Sequence, residues 1–524
     1  MTRTRSRLGL IAIWMLCLAP LSIAQPEEAD EAPAQEKKTG LIHKIHAASP
    51  GYTLFAPLQS KKTYLVDIDG NVVKTWESEL GPGNSAYLLP NGHLVRCARE
   101  PENPVFQGGG QGGRIQELDW DGQLVWDWVY SDEHQMQHHD IEVLPNGNLL
   151  VIAWERKSAS EALAAGRNPD TLGARELWPD KIVEIRAKPP TDAEVVWEWH
   201  SWDHLIQDFD ESKANYGDPS AHPELIDVNF TSAGGRRGGP GGRQGRGPDG
   251  PPDVDDETQE RLRALGYLGG DRDRDRQVRS ADWMHTNAIA YNAELDQIAI
   301  SLRNFSEIWI IDHSTTTEQA ASHEGGRWGK GGDLLYRWGN PAAYKAGGEE
   351  QRQLFGQHDI RWIPKGYPGE GQLLVFNNGD GRGWSSVDQF APPMGSKGNY
   401  LRTTGQKHWG PEYPVWTYVA DEKEDFFSSH ISGADRLPNG NTLICDGQAG
   451  RIFEVTGKGT VVWDYVNGFG GDVSMGGRGG RGRGGRDGRG PGGPMGKTAL
   501  FRATRYAPDY PGLKALQKED DAGR

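Results

Sequence analysis

One phrase recurs six times along the chain: two apolar residues, an aromatic, a spacer and a second aromatic. It is clearest as Leu124-Val125-Trp126-Asp127-Trp128, Val195-Val196-Trp197-Glu198-Trp199 and Leu334-Leu335-Tyr336-Arg337-Trp338. Looser copies are Pro414-Val415-Trp416-Thr417-Tyr418 and Val461-Val462-Trp463-Asp464-Tyr465. The first copy, Val72-Val73-Lys74-Thr75-Trp76, keeps only the final aromatic. Such alternation puts one face of a β-strand into a core. For the aromatics themselves, ordinary sheet packing is a sufficient reading.

Turn phrases precede several copies: Asp69-Gly70-Asn71, Asp121-Gly122-Gln123 and Gly457-Lys458-Gly459. Asp-Gly between apolar runs is a hairpin signal, because glycine accepts the positive φ such turns need. A second phrase follows the aromatic one, as Leu89-Pro90-Asn91-Gly92, Leu144-Pro145-Asn146-Gly147 and Leu437-Pro438-Asn439-Gly440. Looser versions are Tyr291-Asn292-Ala293-Glu294 and Ile363-Pro364-Lys365-Gly366. The unit is therefore two hairpins, or four strands. Six such units predict an all-β fold, a six-bladed β-propeller. Tandem β-sandwiches would not explain why the same two phrases alternate. The sixth unit lacks the proline phrase and ends in the apolar run from Leu500 to Tyr506, while Tyr52–Phe55 precedes the first unit. One of these terminal runs is expected to close the ring by completing a blade.

Charge and cysteine content narrow the class. The 524 residues carry 57 Lys+Arg against 73 Asp+Glu, a net charge of −16. That balance disfavours a dedicated nucleic-acid binder, which needs cations to neutralise phosphate. Three cysteines, Cys17, Cys97 and Cys445, exclude a disulfide-dense scaffold and a four-cysteine zinc site. At the N-terminus, Arg3, Arg5 and Arg7 precede an apolar stretch and then Ser22-Ile23-Ala24, the order of a secretory signal peptide over 1–24. Residues 25–50 read as a flexible lead-in, 51–511 as the propeller and 512–524 as a C-terminal tail. Two Gly/Arg-rich insertions, about 232–256 and 468–496, read as flexible and disordered. The second contains 15 glycines and 5 arginines, a composition that cannot bury enough surface to offset chain entropy. Thr258–Leu268 has helical spacing. No second membrane-span candidate follows the leader, so the mature chain is expected in the periplasm or secreted, without stable membrane insertion.

Candidate chemistry sits just before the inner apolar run of four units: His138-His139-Asp140-Ile141, Met284-His285-Thr286-Asn287, Gln357-His358-Asp359-Ile360 and Ser429-His430-Ile431-Ser432. The register is uneven, since His139 and His358 lie five residues before their Leu/Ile-Pro and His430 seven before Leu437. Histidines from several blades would converge near the axis. Hydrogen bonding at blade junctions is the bland alternative, and a zinc or copper site the metal alternative. Two arginine phrases follow, Ser301-Leu302-Arg303-Asn304 and Asn378-Gly379-Asp380-Gly381-Arg382. A guanidinium fork suits a tetrahedral oxyanion, and histidine can attack sulfur or phosphorus. Together they suggest transfer of a charged group.

The runs Asp282–Ile289 and Ile300–Asn304, with Gln357-His358-Asp359, Asn378–Arg382, Ser429-His430-Ile431 and Leu437–Asn441, resemble bacterial arylsulfate sulfotransferases (arylsulfotransferases, ASST) across roughly Gly51 to Pro511. The resemblance implies an exported six-bladed propeller. It also implies a ping-pong enzyme that passes a sulfuryl group from a phenolic sulfate ester, the small-molecule donor, to an acceptor phenol without a 3′-phosphoadenosine donor. It implies a transiently sulfated histidine, best matched by His430, with His285 and His358 holding the sulfuryl group and serving as acid or base. Arg382, with Asn378 nearby, would stabilise developing charge, and Arg303 is the alternative arginine. Asn287 and His139 complete the expected substrate-binding set. No cofactor, resident metal or nucleic-acid partner is expected, and the sequence gives no oligomeric state. Better-known members carry a short-range disulfide near the active site. Here Cys97 and Cys445 lie in separate units and are expected as free thiols. A non-catalytic exported propeller, binding an anionic or polysaccharide ligand at the channel mouth, is the alternative. A quinone-cofactor dehydrogenase propeller is disfavoured by the absence of an acidic calcium site and vicinal cysteines.

Overall fold

The computed structural model describes residues 38–172, 176–231, 281–396, 398–402, 407–471 and 497–516. The expected leader (1–24), the first insertion and the Thr258–Leu268 helix lie outside the described residues. Among the described residues no helix is long and apolar enough to cross a membrane.

Alternating sequence folds into six antiparallel sheets, five of four strands and one of five, arranged as a β-propeller. Blade 2 runs from Pro82 to Val129, blade 3 from Gln135 to His200, blade 4 from Thr286 to Trp338 and blade 5 from His358 to Tyr418. Blade 6 spans Gly433 to Val466. Blade 1 holds Tyr52–Pro57, Lys62–Val66 and Val72–Glu77, and takes its innermost strand, Leu500–Tyr506, from the other end of the chain. That strand pairs antiparallel with Tyr52–Pro57, Tyr52 opposite Tyr506 and Phe55 opposite Ala503. It also packs against the innermost strands of blades 2 and 6, so the ring closes as the terminal runs suggested.

The repeated aromatic phrase forms the outermost strand of each blade and does more than fill the core. One tryptophan of every copy donates its indole N–H into the next blade around the ring. Trp76 bonds the Asp119 carbonyl, Trp126 that of Asp192, Trp197 the Thr315 hydroxyl, Trp338 the Pro411 carbonyl, Trp416 that of Gly457, and Trp463 returns to Ile68, all at 2.8–3.1 Å. A ring that joins blade 6 to blade 1 in this way leaves no pair of blades without the link.

Three boundaries differ from expectation. Within the lead-in, Gly40–Lys44 adds a fifth strand to the outer edge of blade 6, Leu41 opposite Tyr465. The start of the second insertion is held by Phe469, which stacks on Tyr64 with ring centroids 4.1 Å apart. Residues 472–496 lie outside the described chain. The tail begins with packed residues, since Leu513 and Leu516 are buried against Leu54, Trp76 and Leu88. In each case one or two apolar side chains inside a polar run find a core to join. Cys97 and Cys445 are free and buried in blades 2 and 6.

The six innermost strands meet around a buried ring of charge. Arg502 bonds Asp140 at 2.5 Å and lies 3.4 Å from Asp359, and Arg361 bonds Asp359 at 2.8 Å. Tyr87 donates to Asp140 at 2.7 Å and accepts from Arg502 at 2.7 Å. Blade 4 joins through the Asn287 carbonyl, which accepts from Arg502 at 3.3 Å. Blade 6 joins through the Ala434 N–H on Asp359 at 3.0 Å. Buried charges need this degree of pairing to be tolerated. Two further carboxylates at its rim, Glu142 and Asp435, have Arg361 as their near cation, at 3.8 and 3.7 Å.

Candidate active site

The backbone takes an unusual course where five of the innermost strands begin. A non-glycine residue adopts positive φ there: Asn84 (94°), His139 (54°), His285 (55°), Asp359 (56°) and Ile431 (55°), followed by Ser432 (85°). Strand pairing slips beside the first four, between Pro82 and Ala86, opposite Val151–Ala153, between Thr286 and Ala288, and between His358 and Arg361. Such a bulge re-aims a side chain. For β-branched Ile431 positive φ is a genuine strain, and strain of this kind collects at functional sites.

The bulges bring four histidines from four blades together. The rings of His139 and His285 meet edge to face, with centroids 4.5 Å apart. His285 presents Nδ1 to the Asp282 carboxylate at 2.5 Å, and the other Asp282 oxygen accepts the Trp154 indole N–H at 3.1 Å. This pairing fixes the ring and places the Nδ1 hydrogen toward the carboxylate. His139 sits 2.8 Å from His138 through their Nδ1 atoms, and His138 stacks on Trp154 at 4.1 Å. The space for the His139 ring exists because residue 110 is glycine: a Cβ there would lie 2.0 Å from the imidazole, at a φ of +83°. Burial, then the neighbouring His285 and His138, hold His139 well below the ordinary imidazole range.

His358 is fully engaged. Its Nε2 accepts the Ile431 N–H at 3.2 Å, so Nδ1 carries the hydrogen and donates to Asn378 Oδ1 at 2.7 Å. Asn378 in turn donates to the Ser428 and Ile431 carbonyls at 2.7 and 2.9 Å. Asn378 and His358 thereby clamp the 428–431 turn that carries His430. Within that turn, Ser429 Oγ donates to Gln448 Oε1 at 3.2 Å and lies 2.9 Å from His430 Nδ1. With its own hydrogen spent on Gln448, the hydroxyl accepts from Nδ1, which leaves the Nε2 lone pair on the opposite edge of the ring. Burial, then Arg303 and His285, push the His430 pKa down to about 3. His430 and His285 are each 8% exposed, against 2% for His358 and 1% for His139. His430 and His285 are thus the most exposed of the four.

The arginines divide. Arg303 follows the second strand of blade 4, bonds Asp380 at 3.1 Å and acts electrostatically on both His358 and His430. Arg382 is held by its own loop: it donates to the Trp384 carbonyl at 2.9 Å and Ser386 Oγ at 2.7 Å, with its guanidinium 3.7 Å over the Trp384 ring. Asn287 is buried and donates to the Gln357 carbonyl at 2.8 Å, while its Oδ1 has no hydrogen-bond partner among the described residues. Sequence reasoning gave no role to Asp282, Trp154, Gly110, Ser429 or Gln448. Ser429 stands next to His430 in the text, but Gln448 and Gly110 carry no local signal, because their contacts arise between distant strands.

The arrangement offers a neutral imidazole nucleophile, a carboxylate-oriented second imidazole and an arginine beside them, which is equipment for moving an anionic group. Among the described residues, no three ligand atoms of this cluster lie close enough together to hold a metal ion. A cavity of about 260 Å³ lined by Trp328, Tyr400, Arg402 and Trp409 includes none of the four histidines.

A family model described as Arylsulfotransferase (ASST) matches residues 35–462. An arylsulfate sulfotransferase AssT of Lelliottia amnigena is 28% identical over 183 residues, covering 33% of this chain and 29% of that protein. One of Escherichia coli O6:H1 strain CFT073 is 27% identical over 187 residues, covering 34% and 30%. The chain thus spans less than a third of the length of these curated relatives. Among solved structures, a protein of unknown function from Bacteroides caccae aligns with a TM-score of 0.39 at 13% identity, over 80% of this chain and 94% of that one. That likeness is too low to support an argument.

Proposed function

The chain belongs to the arylsulfotransferase family, and from that premise we propose that it is an exported sulfotransferase that works by a ping-pong mechanism through His430. The observation that carries the reading is the His430 environment: a neutral imidazole with its Nδ1 hydrogen held by Ser429. In the first half-reaction His430 Nε2 attacks the sulfur of an aryl sulfate. An N–S bond forms, the S–O bond to the aryl group breaks, and the departing phenol oxygen takes a proton from His285. Asp282 orients His285 and stabilises whichever ring form carries the positive charge. In the second half-reaction an acceptor phenol gives its proton back to His285, its oxygen attacks sulfur and the N–S bond breaks, which restores His430. Arg303 exchanges Asp380 for the sulfuryl oxygens and offsets the charge that builds on them.

The expected catalytic set is thereby redistributed. His358 and Asn378 are positioning residues that hold the 428–431 turn. Arg382 shapes the loop that carries Asp380. His139 packs edge to face against His285, and Asn287 stays in the binding set. The test is turnover of 4-nitrophenyl sulfate with phenol as acceptor by the mature chain. His430→Gln is expected to abolish both nitrophenol release and phenyl sulfate formation. Undiminished turnover in that variant would refute the assignment.

A further inference from the structure

A second polar cluster lies apart from the four-histidine site, where the end of blade 3 meets a loop of blade 4. His204 closes the short 3-10 turn Ser201–His204 that follows the last strand of blade 3, Asp192–His200. His323 and Asp333 belong to the long connection between Glu307–Asp312 and Tyr336–Trp338 in blade 4. One ligand atom from each of the three falls within 4.8 Å of the others. Both imidazoles turn Nδ1 toward the same carboxylate oxygen, Asp333 Oδ1, at 2.9 Å from His204 and 2.7 Å from His323.

Hydrogen-bond accounting makes the arrangement informative. His204 Nε2 lies 2.8 Å from the Ala320 carbonyl, which can only accept, so Nε2 carries the ring hydrogen. In the neutral ring Nδ1 then offers a lone pair, and it faces the lone pairs of a carboxylate oxygen. Two lone pairs at hydrogen-bond distance need a cation between them. An imidazole whose far nitrogen donates to a backbone carbonyl is the arrangement that fixes a metal-ligating histidine. Here the ring is held further by Trp199, stacked in parallel at 5.9 Å with its own indole N–H on the Gly332 carbonyl at 2.8 Å. Gly332 lets the loop approach so closely that a Cβ there would lie 2.5 Å from His204 Nε2.

We propose that His204, His323 and Asp333 form a binding site for a divalent transition ion of the zinc class, joining blade 3 to the 313–335 connection of blade 4. Two imidazole nitrogens and one carboxylate oxygen are a donor set such ions favour, and a tetrahedron with about 2.0 Å bonds has edges of about 3.3 Å. The two nitrogen–oxygen contacts open by a few tenths of an ångström to reach that edge, and the ligand atoms, all within 4.8 Å of one another, close the rest by movement of the exposed His323 side chain. His204 is buried and His323 is exposed, so the fourth position opens to solvent and takes water. The ion acts as a clip between blades, outside the sulfuryl-transfer chemistry and independent of it.

The test is isothermal titration of the full mature chain, stripped of metal with a chelator, against zinc ion alone, with cobalt(II) as a visible-spectrum probe. His323→Gln removes an exposed ligand without touching the core, and Asp333→Asn removes the shared oxygen. One equivalent of zinc is expected in the wild type, with affinity reduced at least about 10-fold in each variant and undiminished in His430→Gln. Zinc binding unchanged in His323→Gln, or lost only in His430→Gln, would overturn the proposal and leave the cluster as an ion pair between His204 and Asp333.

Discussion

Glu142 provides a quantitative test of the charged ring at the propeller axis. It stands on the innermost strand of blade 3, with Arg361 3.8 Å from its carboxylate. Burial pushes its carboxyl up to about 7, with Arg361 pulling the other way and Asp140 adding to the push. In the unfolded chain a glutamate titrates near 4.3, so the fold holds this proton more tightly than the unfolded chain does. Its stabilisation is therefore complete below about pH 4 and is lost as the pH rises through about 7, the reverse of a salt-bridged carboxylate. A gap of this size corresponds to about 4 kcal/mol. Because the side chain is 22% exposed, solvent screening reduces the expected effect to about 1–2 kcal/mol. Glu142→Gln mimics the protonated acid at every pH. Urea unfolding should give variant and wild type similar stability at about pH 4, and a variant more stable by about 1–2 kcal/mol at pH 8.5. Asp435, pushed up to about 6 by burial, adds to the decline in both proteins, and the difference between them isolates Glu142. A variant less stable than wild type at pH 8.5 would show that Arg361 binds an ionised Glu142, and would refute the reasoning.

Other outcomes follow from single contacts. Trp126→Phe removes the indole hydrogen bond to Asp192 and should cost about 1 kcal/mol in urea unfolding; unchanged stability would reduce the tryptophan to core filling. Ser429→Ala leaves His430 Nδ1 without its acceptor and should lower turnover of 4-nitrophenyl sulfate roughly tenfold with little change in KM. A matching rise in KM instead would mean that the hydroxyl binds substrate. Because burial pushes the His430 pKa down to about 3, the rapid-mixing burst of nitrophenol should not fall as the pH is lowered from 8 to 5. A burst that falls toward pH 5 with a midpoint near 6.5 would mean that this histidine titrates like an exposed one.

Much of this fold was readable because its repeats do identical work. The aromatic phrase recurs because each blade needs an indole donor at the same seam. The proline-asparagine-glycine phrase recurs because the innermost strands of blades 2, 3 and 6 turn back through a residue of positive φ, at Gly92, Gly147 and Gly440. The histidines were readable for the same reason, and the bulges explain their uneven register. In blades 3 and 4 the histidine itself takes the left-handed position, whereas in blades 5 and 6 it precedes the left-handed Asp359 and Ile431. The partners of the histidines were not readable. Asp282 stands three residues from His285, a spacing with no meaning outside a helix, and Gln448 reaches Ser429 only because blade 6 folds back. Arg382 and Arg303 sit in similar text, and only contacts made in the fold separate them: Arg382 is held by Trp384 and Ser386, while Arg303 bonds Asp380. The packed ends of the lead-in and tail rest on isolated side chains such as Leu41 and Leu513, too few to make a pattern.

The central claim is that His430 carries the sulfuryl group between donor and acceptor. The most direct measurement is mass spectrometry of the purified protein after brief mixing with 4-nitrophenyl sulfate without acceptor, quenched above neutral pH to protect an acid-labile N–S bond. A gain of one sulfuryl group that maps to His430, and disappears when phenol is added, is the expected result. An adduct on another histidine, or nitrophenol released with no adduct on the protein, would contradict it.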